Sequence, residues 1–131
     1  MVESHTIQKF VGKTILIVDD DESLRSGLAL ALSFEEYSVL EASSGKSALK
    51  VLDEHPVNLV VSDIEMPDGD GFFLLKEIQS RENTPPLVFI SAHSEITPDS
   101  VKSLGAVGLI RKPFDLEKLL LTISSLLIAK K

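Results

Sequence analysis

Acids follow two of the apolar runs in this chain. Asp19-Asp20-Asp21-Glu22 comes directly after Thr14-Ile15-Leu16-Ile17-Val18, and Asp63 closes a run that begins at Val57. Two further runs end in groups that donate hydrogen bonds or charge: Leu87 to Ile90 leads into Ser91, and Val107 to Ile110 leads into Arg111 and Lys112. An Asp at a strand end has an ordinary use, since its side chain bonds nearby backbone amides in turns. Acids, a hydroxyl and an ammonium at four strand ends together point to more than turn formation. Two carboxylates roughly 4 Å apart repel by about 4 kcal/mol at an effective dielectric near 20, so three gathered together need a cation or protons. All-oxygen ligands select a hard ion, Mg²⁺ or Mn²⁺. A carboxylate is also a nucleophile toward phosphoryl groups, and the acyl phosphate it forms is stabilised by a metal ion, a lysine ammonium and a hydroxyl that meet its oxygens. Lys112 and Ser91 are donors of those kinds.

These groups gather only if the elements carrying them do. The runs are continuous rather than alternating, as expected for strands buried on both faces. Between them lie stretches of helical spacing. The first is expected from Asp21 or Ser23 to about Glu35, with Leu24, Gly27, Leu28, Ala31 and Phe34 on its inner face. The second runs from Ser43-Ser44-Gly45 to about His55, with Ala48, Leu49 and Leu52 inward and Pro56 closing it. Phe72 to Ser80 is the third. Thr97-Pro98 starts a short fourth that ends at Gly105, and Asp115 caps a fifth to about Ala129. On that last helix Leu116, Leu119, Leu120, Ile123, Leu126 and Leu127 face the core. Leu121 and Ile128 fall on the opposite side, where a second copy or an effector could meet them. Five strands alternating with five helices make an α/β fold with a parallel sheet, right-handed crossovers and helices on both faces. If the strand order is 2-1-3-4-5, the first and third strands are neighbours at the switch point, and Asp19, Asp20 and Asp63 converge there, with Ser91 and Lys112 along the same rim. The second strand, Ser38 to Ala42, ends in no such group.

Length and composition bound the rest. At 131 residues the chain is one domain with a core of its own, and without Cys it holds neither disulfides nor a thiolate metal site. We read residues 1–12 as a leader, with Phe10 or Val11 against the body, and 13–131 as the domain. The leader lacks the apolar segment of a signal peptide, and no run reaches membrane-spanning length, so a cytoplasmic protein without membrane contact is expected. A net charge of −7 disfavours direct binding to nucleic acid and suits a site for cations.

Four motifs in order, ILIVDDDESLR, LVVSDIEMPDGDG, VFISAHS and IRKPF, resemble those of the response-regulator receiver domains of two-component phosphorelay signalling, and the resemblance covers about residues 14 to 128. It implies a flavodoxin-like doubly wound (βα)5 fold. It further implies that Asp63 accepts a phosphoryl group from a phosphohistidine on a sensor histidine kinase or histidine phosphotransfer protein. Mg²⁺ would be held by Asp20, Asp63 and the backbone carbonyl of Glu65, with Asp19 reaching it through water. Ser91 and Lys112 would hold the phosphoryl group, and the Lys112-Pro113 bond would be cis. Such a domain is a signalling switch that catalyses only its own phosphorylation and dephosphorylation. In the family His93 and Glu65 occupy positions at the site mouth, and Leu109 replaces the aromatic residue usual three places before the lysine.

Three other readings use the same residues. Asp68-Gly69-Asp70-Gly71 resembles part of a calcium-binding EF-hand loop, but Phe72 and Leu74 stand where ligands are needed. Haloacid-dehalogenase phosphatases share the aspartyl-phosphate logic, but their motif places a nucleophilic Asp at the first strand end in a context that DDDES lacks. A pseudo-receiver that only binds partners would keep the fold and lose acids or the lysine, and this chain keeps them all.

Overall fold

The computed structural model describes residues 12–82 and 84–129. Strand β1 (Thr14–Val18) is followed by α1 (Glu22–Phe34), β2 (Ser38–Ala42), α2 (Gly45–Glu54) and β3 (Leu59–Asp63). Then come α3 (Gly71–Gln79), β4 (Leu87–Ser91), α4 (Pro98–Leu104), β5 (Gly108–Arg111) and α5 (Leu116–Ala129). The strands form one parallel sheet in the order β2-β1-β3-β4-β5. The expected leader, and with it the contacts foreseen for Phe10 and Val11, lies almost wholly outside the described residues.

The continuous apolar strands are explained by two cores, one on each face. Successive side chains point to opposite faces of a sheet. Leu16, Val18, Val60, Leu87 and Phe89 pack with Ala48 of α2, Leu74, Leu75 and Ile78 of α3 and Val101 of α4. Their neighbours Ile15, Ile17, Leu59, Val61, Val88 and Ile90 pack with Leu28 and Leu32 of α1 and with Leu119, Ile123 and Leu127 of α5. Each of these strand positions is therefore apolar because it serves one core or the other. Burying each such side chain contributes about 1.5–3 kcal/mol.

Helix starts follow local chemistry. Asp21 caps α1, Ser44 caps α2 in a reciprocal capping box with Ser47, and Asp70 caps α3. Thr97 caps α4 in a second box with Ser100, and Pro98 takes the first helical position. Each cap satisfies amide groups that the first helical turn leaves without partners. Asp70 therefore serves α3, and Asp68 faces Lys46 at 3.5 Å. Gly105 ends α4 at φ 110°, a left-handed conformation that glycine adopts without strain.

Two expected stripes are corrected. On α1 the buried residues are Leu28, Ala29 and Leu32, whereas Gly27 is exposed and Phe34 is 75% exposed. Apolar residues lie around much of this helix, so helical periodicity fits two adjacent stripes, and contact with the sheet selects the one through Leu28 and Leu32. On α5 the buried line is Leu119, Ile123 and Leu127, spaced by four. Leu116 falls in the same sector by helical spacing, but it is the first residue of the helix and is 45% exposed. Leu121 and Ile128 face outward as expected. Among the described residues no helix is long and apolar enough to cross a membrane.

Candidate functional site

The switch point between β1 and β3 brings the acids together. One carboxylate oxygen from each of Asp19, Asp20 and Asp63 can be chosen so that all three lie within 4.8 Å of one another. Asp19 is buried, Asp20 is exposed and Asp63 is half-buried. Most bonds around the cluster come from the backbone. The Asp19 amide donates to the Ala42 carbonyl at 3.1 Å, and Asp19 Oδ1 accepts from the Asp21 amide at 2.9 Å. Asp63 Oδ1 accepts from the Ile64 amide at 2.8 Å.

Lys112 reaches across from the end of β5. Its Nζ lies 3.4 Å from Asp63 Oδ2 and 3.5 Å from Asp19 Oδ2, long for hydrogen bonds but close for charges. One ammonium thus faces two acids, leaving the cluster net negative. Burial, and then the Asp19 charge, hold the Asp63 carboxyl above its ordinary pKa, while Lys112 and the Ile64 amide pull the other way. The Lys112-Pro113 peptide is cis.

Ser91 is buried at the end of β4, and its Oγ accepts from the His93 amide at 3.0 Å, which leaves the hydroxyl proton to donate. The Lys112 amide donates to the Ser91 carbonyl at 2.9 Å, and Arg111 Nη1 donates to the His93 carbonyl at 2.7 Å, so β5 holds the start of the β4–α4 loop. His93 Nε2 lies 2.9 Å from Glu65 Oε1 and joins that loop to the one after β3. Glycine sets the floor of the site. A Cβ at Gly71 would stand 2.5 Å from the Asp63 carbonyl oxygen and 2.8 Å from the Phe89 ring, so α3 starts against the end of β3 only without a side chain there.

All the acids, Ser91 and Lys112 thus meet at one end of the sheet, with Glu65 and His93 beside them. Two side chains to which no sequence signal gives a role also belong here. Arg25 Nη1 donates to the Asp19 carbonyl at 2.8 Å, and its Nε donates to Glu41 Oε1, on β2, at 3.0 Å. Arg25 lies inside the ILIVDDDESLR motif, but nothing in the sequence pairs it with Glu41.

An open parallel sheet with acids, a hydroxyl and an ammonium at the carboxyl ends of its strands defines a class, the receivers of two-component signalling. The chain belongs to the response regulator receiver domain family, whose model matches residues 15–124. It is 40% identical over 107 residues, 80% of its length, to the transcriptional regulatory protein GlrR of Escherichia coli (strain K12), and the match spans 24% of that protein. The receiver domain of NtrX from Brucella abortus superposes with a TM-score of 0.79 at 35% identity, over 86% of this chain and 97% of that one. TrrA of Thermotoga maritima, in complex with Mg²⁺ and BeF, superposes with a TM-score of 0.78 at 30% identity, over 87% of this chain and 98% of that one.

Proposed function

We propose that this receiver takes a phosphoryl group from a phosphohistidine onto Asp63 with Mg²⁺, or Mn²⁺, and signals by the change of conformation that follows. The donor would be a sensor histidine kinase or a histidine phosphotransfer protein, and the receiver unit would span residues 13–131 with 1–12 as leader. The observation that carries the reading is the placement of Asp63, whose carboxylate shares the Lys112 ammonium with Asp19 inside a net negative cluster. An all-oxygen set gathered within 4.8 Å fits a small hard cation, and the excess negative charge supplies the attraction. Asp19, Asp20, Asp63 and the Glu65 carbonyl would hold it, and the similarity to TrrA, whose complex contains Mg²⁺, supports the choice of ion. The bound metal would neutralise charge on the phosphoryl oxygens.

The side chains then have separate tasks. An Asp63 oxygen forms the new bond to phosphorus as the phosphorus–nitrogen bond of the donor breaks. The departing imidazole nitrogen keeps that electron pair and takes a proton from solvent. Asp63 attacks as the carboxylate, and Lys112 opposes the burial that would keep it protonated. The Ile64 amide orients it through Oδ1. Lys112 then meets one phosphoryl oxygen and the Ser91 hydroxyl donates to another. His93 and Glu65, in contact over the mouth, limit the approach of water to the acyl phosphate.

Acetyl phosphate tests this directly. With Mg²⁺ the intact mass should rise by one phosphoryl group, peptide mapping should place it on Asp63, and EDTA or Asp63→Asn should abolish it. Unlabelled wild type in the presence of Mg²⁺ would leave a pseudo-receiver.

A further inference from the structure

We infer that Arg25, braced by Glu41, is a positioning residue for the acidic cluster, an inference that rests on the reading of that cluster as the Mg²⁺ site. The Arg25 side chain is only 15% exposed, against 38% for Glu41. Its Nη1 donates to the Asp19 carbonyl and its Nε to Glu41. That carbonyl belongs to the planar peptide joining Asp19 to Asp20, so holding its oxygen fixes the plane from which both acids depart. The peptide on the other side of Asp19 is held by the bond from its amide to the Ala42 carbonyl. Both peptides flanking Asp19 are therefore anchored on β2, directly at Ala42 and through Arg25 at Glu41. The strand with no reactive group at its end is the one that aims the acids.

Electrostatics explains why such a brace is needed. Asp19, Asp20 and Asp63 repel one another, and rotation of the 19–20 peptide is a backbone motion that would move the pair apart. The guanidinium resists that rotation. Its charge opposes a metal ion, but Glu41 compensates it locally, so the pair contributes geometry rather than field. A lysine at 25 would keep the charge, but its single ammonium lacks the planar fork that reaches two acceptors in different directions.

The two roles predict opposite signs. Removing the positive charge in Arg25→Gln would tighten Mg²⁺ binding if Arg25 acted only through its field, and loosens it if Arg25 positions the acids. We expect the Mg²⁺ dissociation constant of the full chain, from calorimetry and from Mn²⁺ competition by electron paramagnetic resonance, to rise about tenfold in Arg25→Gln. Arg25→Lys, which conserves charge, should raise it several-fold and carries the test if Arg25→Gln fails to fold. Melting in EDTA verifies folding. At saturating Mg²⁺ the acetyl phosphate labelling rate of Arg25→Lys should return to within about twofold of wild type, since Arg25 touches no phosphoryl oxygen. Unchanged or tighter Mg²⁺ binding in the folded variants overturns the inference. Wild type that binds no Mg²⁺ overturns instead the reading of the site on which it rests.

Discussion

Asp63 is held in a state that metal-free protein tolerates at a cost. Its carboxyl pKa is raised in the folded chain, by burial first and by Asp19 second, so the folded state binds this proton more tightly than the unfolded state. Stability must therefore fall as pH rises from the ordinary carboxylate range, near 4, through the raised value, and the whole cost is present above it. Asp63→Asn removes the charge and keeps the shape. In EDTA at neutral pH that variant should melt roughly 3 °C higher than wild type. Differential scanning calorimetry at several pH values should show the difference shrinking as pH falls toward 4. A difference that is constant, or that grows in acid, would mean that the cluster does not strain the metal-free fold. Asp20→Asn should give a smaller gain in EDTA, because Asp20 is exposed and water screens its charge.

Close approach of elements is the corresponding constraint one level up. Helix α3 starts against the end of β3, where the Gly71 amide donates to the Ile64 carbonyl at 2.7 Å and a methyl group would overlap the Asp63 carbonyl and the Phe89 ring. Gly71→Ala should cost about 1–3 kcal/mol, read as a lower urea midpoint with an unchanged slope, and should weaken Asp63 labelling because the end of β3 must shift. An unchanged midpoint would mean that α3 has room to move. The β4–α4 segment carries a different expectation. Helix α4 has seven residues with only Val101 buried, and its preceding loop is held by Arg111 on the His93 carbonyl and by His93 on Glu65. On the proposed function, movement of Ser91 toward a phosphoryl group would pull on the His93 amide bonded to its Oγ. Leu109, half-buried on β5, has no ring whose rotation could report the change. With beryllofluoride and Mg²⁺, amide hydrogen exchange should therefore change most in residues 91–105. A change centred on residues 107–112 would refute this route.

Across the whole molecule, a net charge of −7 makes any cation mildly stabilising through screening, so a rise in Tm with Mg²⁺ is not by itself a sign of a site. Site binding is saturable and specific. At a free Mg²⁺ concentration of 100 times its dissociation constant the folded state gains about 2.7 kcal/mol, roughly 10 °C for a chain of this size. NaCl at equal ionic strength should give a small part of that, and Asp63→Asn should lose more than half of the Mg²⁺-specific gain. Equal gains from both salts, or an undiminished gain in Asp63→Asn, would assign the effect to screening.

What the amino-acid order determined by itself is whatever depends on neighbours in the chain. Apolar runs, the cap Thr97, the glycine after α4 and the alternation of strand with helix are local, and they sufficed for five parallel strands with five helices; the order 2-1-3-4-5, and the gathering of Asp19, Asp20, Asp63, Ser91 and Lys112 at one rim that depends on it, entered with the resemblance of the four motifs. The tertiary structure decided what depends on partners distant in sequence. Periodicity alone does not choose between two neighbouring stripes on α1 and puts Phe34 on the inner one, yet Phe34 stands in solvent, because only the sheet defines which side is inner. Glu65 and His93, 28 positions apart, touch because two loops meet over the rim. Arg25 and Glu41 are joined because β2 lies beside β1, and no spacing along the chain encodes which carbonyl a long, flexible side chain will reach once those two strands pair.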